Sequence, residues 1–345
     1  MTHIMVPDTV TLLEPFFTSR AHPRDLFAGV SDTLLAEDGF LRHVQMTAVT
    51  DQTRDVLQAA YPEPVVGSQA YGLFNPIRSR DGSDWIFARF RAADVLGRVQ
   101  TALNRLLTHV DYPMATLDCL LFPVNTASAI QMKVYHGLYV LAGAPGYLQV
   151  LIWPTQANLA RLDAVLAYGL AVNVRAARFG LHTLADWLAA TGLAANWVAE
   201  LYPAVPLPWL INYQSPPGWD SEMRRLADLH NAPDFDSIVT NIYGNMGVFA
   251  DVIAPDVAAL DPDDLEYSHM LFDEALKSRP AITQAATIAA YLYGDDFVKR
   301  QGHPAIGLTA LAGLEVAYHY VRAYLQSTGK SAEVALATPT DKLIR

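Results

Sequence analysis

The alternation of apolar and polar positions divides the chain into helical, extended and irregular segments. Apolar residues recur at intervals of three and four residues between Ala93 and Val110, which is typical of an amphipathic helix. Two short runs rich in β-branched and aromatic residues, ATLDCLLFPV and AGAPGYLQVLIWPT, each contain a proline near the end and predict strands. Prolines interrupt residues 1–60, where we expect short helical pieces.

Two long helices are predicted between Gln156 and Tyr202. Gly180 suits the C-terminal cap of the first helix, and Thr183 suits the N-cap of the second. Both helices are apolar around most of their circumference, so we expect both to be buried. A proline-rich loop follows, and the later segments predict further helices, one of them capped by Asp261 or Asp263.

These segments predict an α+β fold that is mostly helical, with a small N-terminal sheet and a helical C-terminal half. A chain of 345 residues suits one large domain or two small ones. We expect a helical or mixed N-terminal region over residues 1–110 and a second domain over 111–345. One continuous domain over 1–345 is the alternative.

Composition narrows the classes of partner. Apolar residues make up 52% of the chain, which is enough to form a core. The net charge is −11 and no cluster of Lys or Arg appears, so we expect no nucleic-acid partner. A small molecule or a protein is the expected partner, and no feature indicates an oligomeric state.

Features of the chain also bear on its compartment. Cys119 is the single cysteine, which is typical of a protein made for a reducing environment. The N-terminus has no basic and apolar regions of a signal peptide, so we expect a cytoplasmic protein. The longest uncharged run, residues 136–160, is broken by glycines and prolines, and we therefore expect no membrane helix.

Short catalytic motifs give little support to common enzyme classes. The chain contains no glycine-rich nucleotide loop, no serine nucleophile elbow and no Cys-x-x-Cys. The ten histidines include no pair at metal-ligand spacing on a predicted helix, so neither a metal nor another cofactor is expected. His230, Asp234 and Asp236 lie close together in a polar loop and are interpreted as capping residues. Cys119, in an apolar strand, is interpreted as an inert core residue.

The last long helix carries a more informative pair. Glu315 and His319 are four residues apart and share one face of the helix, among apolar neighbours. A carboxylate in such surroundings is paired, solvated at a helix end or placed in a cavity, because a lone buried charge costs several kcal/mol. A structural Glu315–His319 pair and an acid/base role in a pocket both remain open.

Several stretches together resemble one family. They are LFPVNTAS, GAPGYLQVLIWPTQANLARLDAVLAYGLAVNVR, TGLAANWVAELYP, AAYLYGDD and GLTALAGLEVAYHYVRAYLQSTGKSAEVALATP. In the same order, over roughly residues 117–343, they resemble domain of unknown function 2268, a family of predicted zinc-dependent proteases of zincin type. The resemblance implies a zincin-like domain, of the gluzincin type. Members carry H-E-x-x-H on the helix after IWPT and a third, glutamate ligand on a later helix.

The resemblance implies that this chain has lost the metal ligands. Aligning the flanks places Tyr168 and Val172 at the two histidines, Gly169 at the general base and Thr191 at the third ligand. Tyr, Val and Thr are not the ligands that a catalytic zinc ion requires. Other framework positions do fit the family pattern, namely Asn173, Arg175, Gly192, Leu193, Ala194 and Glu200.

The same comparison predicts a narrowed cleft. Relatives have small residues before GAPGY, where this chain has GLYVLAG, so Tyr139, Val140 and Leu141 add bulk. In the last long helix, Leu314, Glu315 and Ala317 stand at positions that are small in relatives. We expect a mostly apolar cavity that suits a small organic ligand. Its expected binding residues are Tyr139, Leu141, Val172, Thr191, Leu314 and Tyr318, and its expected polar groups are Tyr168, Thr191, Glu315, Tyr318 and His319.

Three functional hypotheses follow. The first is a metal-independent enzyme that cyclises, isomerises or eliminates an apolar small molecule in specialised metabolism, with Glu315, His319 and Tyr168 as catalytic residues. The second is a pseudo-peptidase that acts as a binding or regulatory protein. The third, a zinc peptidase with unusual ligands, is the weakest. A cavity of roughly a few hundred Å³ between the Tyr168 and Glu315 helices would favour the enzyme, and a solid core there would favour the binding protein.

Overall fold

The computed structural model describes residues 2–13, 83–124, 134–219, 221, 258–277, 280–298 and 305–344. Four strands in these ranges form one sheet in the order β1-β2-β4-β3. β1 and β4 run parallel to β2, and β3 runs antiparallel to β4. The strands are β1 (His3–Met5), β2 (Thr116–Pro123), β3 (Leu138–Leu141) and β4 (Tyr147–Ile152).

Helices make up most of the remaining structure. None of the helices in these ranges is long and apolar enough to cross a membrane. In chain order the helices are α1 (Thr9–Leu13), α2 (Ser83–Ala92), α3 (Val95–Leu106), α4 (Gln156–Phe179), α5 (Leu184–Leu201), α6 (Pro262–Lys277), α7 (Ala285–Tyr293), α8 (Asp295–Val298), α9 (Ala312–Thr328), α10 (Ala332–Ala335) and α11 (Thr340–Leu343).

The predicted α+β, mostly helical fold is confirmed, and one local prediction needs correction. Short helical pieces were expected in residues 1–60, but β1 precedes α1 and pairs with β2, across residue 110; residues 14–60 lie outside the described ranges. The helix expected between Ala93 and Val110 is present as α3. Asp94 precedes it in the left-handed region (φ 45°), and its carboxylate accepts a hydrogen bond from Gly97 N, which caps α3.

The two long helices predicted in the middle of the chain are present with their expected caps. Gly180 follows α4 with a φ of 74°, a conformation that glycine adopts without strain. Thr183 caps α5 and forms a reciprocal capping box with Asp186. α4 packs on β3 and β4, while α5 packs against both α4 and α9. The site described below lies where these elements meet.

The close approach of α5 and α9 requires a glycine. A Cβ atom at Gly192 would lie 2.3 Å from the carbonyl oxygen of Ala317, a distance that no real side chain tolerates. Gly192 is one of the framework positions that fit the family pattern. Glycine is therefore required at this position because two buried helices pack with their backbones in direct contact.

Asn173 of α4 holds the turn that joins β3 to β4. Its Nδ2 donates to the carbonyl oxygens of Ala142 (2.8 Å), Ala144 (2.6 Å) and Tyr147 (2.8 Å). Its Oδ1 accepts hydrogen bonds from Tyr112 Oη and from Gly146 N. Ala144 O also accepts from Tyr147 N within the turn, and one fully buried amide provides the further hydrogen bonds that the turn needs.

Two further framework residues anchor the C-terminal segment. Arg175 of α4 donates through Nη1 to the carbonyl oxygens of Leu336 and Thr338 and through Nη2 to Thr340 Oγ1. Both carboxylate oxygens of Glu200 of α5 share the N–H of Ala332, at 2.9 and 3.0 Å, at the start of α10. A carboxylate at this position also complements the positive end of a helix.

Replacing Asn173 with alanine should lower the free energy of unfolding by about 3 kcal/mol, because three carbonyls lose a side-chain donor and Tyr112 Oη and Gly146 N lose an acceptor. Chemical denaturation monitored by circular dichroism measures this change. Asn104, exposed on α3, provides the matched control, and Asn104→Ala should change stability by no more than about 0.5 kcal/mol. Equal effects of the two substitutions would contradict the anchoring role of Asn173.

Candidate functional site

A small cavity lies between α4, α5, α9 and strand β3. Its volume is about 30 Å³, room for one or two water molecules. No described residue that lines it carries a charge at neutral pH. The lining residues are Tyr135, Tyr139, Val140, Leu141, Ala142, Tyr168, Val172, Trp187, Thr191, Asn212, Tyr213, Tyr293 and Leu314.

The three positions that the resemblance assigns to metal ligands meet at this cavity. Tyr168 and Val172 lie one turn apart on α4, and Thr191 faces them from α5. The same cavity is lined by Tyr139 and Leu141 of β3 and by Leu314 of α9. All of the expected binding residues except Tyr318 therefore line it. Six positions chosen from the sequence therefore come together in space.

Glu315, Tyr318 and His319 do not line this cavity. Glu315 Oε2 accepts a hydrogen bond from Leu260 N at 2.8 Å, and its Oε1 lies 3.6 Å from His319 Nε2. Leu260 lies just before α6, so Glu315 ties the start of that helix to α9. Of the two interpretations of the Glu315–His319 pair, this geometry is that of the structural pair.

Tyr318 and His319 belong to a second group of aromatic side chains. Trp209 packs on Tyr318 with ring centroids 4.7 Å apart, and the ring of His319 lies 6.0 Å from that of Trp209. His269 of α6 lies 6.3 Å from His319. Burial, followed by the neighbouring imidazole of His319, lowers the pKa of His269. This group joins α6 to α9, and it is separate from the lining of the cavity.

The lining does not fit the zinc ion that the family description implies. Val172 has no donor atom, and the hydroxyl of Thr191 donates to the carbonyl oxygen of Trp187 at 2.8 Å. A catalytic zinc ion needs three nitrogen, oxygen or sulfur ligands plus water. Throughout the part of the chain that the structure describes, no three His, Cys, Asp or Glu side chains are grouped so that they could hold a metal.

Strand β3 closes the cleft above the position of the general base. A Cβ atom at Gly169 would lie 2.6 Å from Cγ2 of Val140 and 2.9 Å from Cγ1. Every residue of β3 is buried, so the bulk expected from GLYVLAG packs directly on α4. A glutamate at position 169 has no space beside this valine.

Sequence reasoning missed most of the aromatic lining. Tyr135, Tyr213, Tyr293, Trp187 and Asn212 all contribute to the cavity. The tyrosine rings form a series: Tyr135 stacks on Tyr139 at 4.2 Å, Tyr213 lies 5.0 Å from Tyr135, and Tyr293 lies 6.3 Å from Tyr213. The only signal in the sequence was the density of tyrosine, which is also typical of an ordinary core.

Arg161 of α4 lies behind two walls of the cavity. Its Nη1 donates to the carbonyl oxygens of Ile211 (3.1 Å) and Gln214 (2.5 Å), and its Nη2 donates to those of Tyr135 (3.0 Å) and Leu138 (3.3 Å). The guanidinium thereby joins residues 135–138 to residues 211–214. Burial lowers the pKa of Arg161 to about 9, so it stays charged at neutral pH.

Cys119 is not among the lining residues of the cavity. Burial raises the pKa of its thiol to about 12, which leaves it protonated and unreactive at neutral pH. His230, Asp234 and Asp236 lie outside the described residues. Asn212 Oδ1 is a buried atom of a lining residue, and it has no hydrogen-bond partner among the described residues.

Comparison with known proteins gives a family and one distant relative. Residues 93–258 match the sequence model of DUF2268, described as a predicted Zn-dependent protease, which confirms the resemblance over a little under half of the chain. The uncharacterized protein YjfC of Bacillus subtilis (strain 168) is 23% identical over 209 residues, which cover 59% of this chain. The alignment covers 53% of that relative, about half its length. No solved structure gives a significant match.

The matched range includes part of the site. It contains α4 and α5, and with them positions 168, 169, 172 and 191. Helix α9 lies beyond the matched range, so Leu314 lines the cavity from a helix that the family model does not cover. The assignment of the ligand positions therefore concerns residues within the range where the family resemblance is confirmed.

The contact between Gly169 and Val140 yields a test by double substitution. Gly169→Ala should lower the free energy of unfolding by about 2 kcal/mol, because the new methyl group overlaps the Val140 side chain. Adding Val140→Ala makes room, so Gly169→Ala should cost at least about 1 kcal/mol less in that background. Urea denaturation of the four proteins gives the coupling energy, and additive effects would contradict the contact.

Proposed function

We propose that this chain, a relative of the predicted zinc-dependent proteases of DUF2268, is a non-hydrolytic binding protein on a peptidase-type scaffold. One observation carries the proposal. Tyr168, Val172 and Thr191, the positions that the resemblance assigns to the metal ligands, line a single cavity. Val172 has no atom that can bind zinc, and neither tyrosine nor threonine is a usual zinc ligand.

Packing around the cavity supports the same proposal. Thr191 donates its hydroxyl proton to the carbonyl oxygen one helical turn earlier, as a buried threonine commonly does. Val140 occupies the space beside Gly169 where a general base would extend. The positions assigned to the third ligand and to the general base are therefore taken up by intramolecular contacts, which supports a protein that does not bind zinc.

The size of the cavity supports a binding protein over an enzyme that acts on an apolar substrate. A ligand that is cyclised or isomerised inside the fold needs roughly a few hundred Å³. The cavity holds about 30 Å³ within the described part of the chain. Cyclisation, isomerisation or elimination stays a prediction from the sequence, and this volume gives it no support.

The surroundings of Glu315 support a structural role for that residue. Its two carboxylate oxygens face Leu260 N and His319, and it does not reach the cavity. Proton transfer to a ligand held beside Tyr168 needs a group within hydrogen-bond reach of that ligand. In this proposal, Glu315 and His319 connect α6 to α9.

Rebuilding the ligand set tests the proposal. The wild-type protein, purified and dialysed against zinc, should contain no stoichiometric zinc and hydrolyse no peptide substrate. The triple variant Tyr168→His, Val172→His, Thr191→Glu should gain zinc at close to one ion per chain, since it places three suitable ligands around one cavity. Elemental analysis by mass spectrometry measures the metal.

A matched control uses the same ligand types away from the cavity. Thr101, Lys277 and Ala323 are exposed on three different helices, α3, α6 and α9, and Thr101→His, Lys277→His, Ala323→Glu should gain no stoichiometric zinc. Stoichiometric zinc in the wild-type protein, with peptide hydrolysis that a chelator abolishes, would overturn the proposal. A folded triple variant that binds no zinc would show that positions 168, 172 and 191 do not form a metal-site geometry.

A further inference from the structure

We propose that the outer face of α6 is a docking surface for a basic amphipathic helix of another protein. Two apolar side chains lie one helical turn apart on this face: Met270 is 60% exposed and Tyr267 is 46% exposed. The exposed residues called the α6 face are Asp263, Glu266, Tyr267, Met270, Asp273 and Glu274. None of them lines the cavity, so the proposal stands apart from the function proposed for that site.

Acidic side chains surround Met270 on the α6 face. Glu266 lies four residues before Met270 and Glu274 lies four residues after it, so helical spacing places all three on one side. Asp263 and Asp273, seven residues before and three residues after Met270, lie on the same side. The whole helix contains five acidic residues, one lysine and no arginine. An apolar centre is therefore bordered by negative charge.

The inner face of α6 fixes the position of the helix on the protein. Phe272 is fully buried, and its ring meets that of Tyr291 edge to face at 5.3 Å. Asp273 Oδ1 accepts a hydrogen bond from Tyr320 Oη of α9 at 2.5 Å. A helix that is held in place before binding loses little conformational entropy when a partner docks. The unbranched side chain of Met270 can still adapt to the surface of that partner.

The charge of the α6 face selects the class of partner. Nucleic acids and anionic membranes carry charge of the same sign and are repelled. A second copy of this chain, docked face to face about a two-fold axis, would place acidic residues against acidic residues. A helix with lysine or arginine beside an apolar stripe is complementary in both respects, because it covers Met270 and pairs with the acidic side chains around it.

A peptide of about 15 residues, close to the length of α6, tests the proposal on the full chain. Its leucines recur at intervals of three and four residues, and its other residues are lysine and glutamine. The controls are a scrambled peptide of the same composition and a peptide with glutamate in place of each lysine. Fluorescence anisotropy should show that the designed peptide binds at least about tenfold more tightly than either control.

An uncharged substitution tests the apolar centre. Met270→Gln removes the apolar side chain without changing the net charge, and it should weaken binding of the designed peptide about fivefold. Val334, 58% exposed on α10, provides the matched control, because α10 packs on α5 at another part of the structure. Val334→Gln should change the affinity by less than about twofold.

A pair of substitutions tests the acidic border in the same assay. Glu266→Gln combined with Glu274→Gln removes two charges beside Met270 and should weaken binding about fivefold at low salt. Glu333→Gln combined with Asp341→Asn removes the same charge from α10 and α11 and should have less than about a twofold effect.

Oxidation by hydrogen peroxide locates the contact in the unaltered protein. Peroxide transfers one oxygen atom to the methionine sulfur, which gives methionine sulfoxide and water. Saturating peptide should slow the oxidation of Met270 at least about fivefold, because the peptide covers the sulfur. Met5 and Met114, which are 39% and 38% exposed, are internal controls and should react at an unchanged rate. Mass spectrometry of proteolytic fragments measures each rate.

Several outcomes would contradict this docking surface. They are equal binding of either control peptide, full binding by Met270→Gln, equal losses in the matched control variants, and oxidation of Met270 that the peptide does not slow. Self-association on sedimentation that Met270→Gln abolishes would assign the α6 face to a second copy and would also overturn the proposal. None of these results depends on zinc or on the cavity, so the function proposed above is tested separately.

Discussion

Polar side chains buried on α4 determine where the loops of this protein lie. Asn158, Arg161, Asn173 and Arg175 are all buried, and each donates to carbonyl groups of irregular segments. Most of these carbonyls lie in turns or at strand ends, outside a continuous backbone ladder, and an unsatisfied buried carbonyl costs about 1–3 kcal/mol. The helix therefore cannot be uniformly apolar, although almost every residue along it is inaccessible to solvent.

The positions of these four residues leave the middle of α4 free to change. Asn158 and Arg161 lie in its first turns, and Asn173 and Arg175 lie toward its end. Between the two pairs lie Tyr168, Gly169 and Val172, which face a cavity and β3. The supports of the fold and the positions that the resemblance assigns to the metal site are thus separate residues of one helix. Substitution at these central positions therefore leaves the four supporting side chains in place.

Features that depend on local chemistry were predictable from the sequence. Gly180 and Thr183 mark the ends of α4 and α5 because capping acts within a few residues. β1 was missed because three residues, with only Ile4 buried, carry too little alternation to recognise. Its strand conformation comes from pairing with β2, more than a hundred residues later.

The same distinction applies to the site: residues placed by nearby sequence were predictable, and residues placed by contacts between distant segments were not. Family alignment brought Tyr168, Val172 and Thr191 together, because the framework of α4 and α5 fixes their spacing. The spacing of Glu315 and His319 correctly paired them, but it could not show that Leu314, one residue earlier, faces the cavity. Tyr135 and Tyr213 were not predictable, because the hydrogen bonds of Arg161 to two distant segments place them there.

If zinc binding was lost, as the proposed function holds, complete replacement of the ligand set is the thermodynamically consistent end point. A zinc site contributes on the order of 10 kcal/mol where it has been measured in structural sites. A glutamate at position 191 without an ion would be a buried carboxylate with no cation in the described lining of the cavity, at a cost of several kcal/mol. Threonine avoids that cost because its hydroxyl donates to its own helix. Glycine at 169 lets Val140 approach, so neither position carries a carboxylate that only a metal would justify.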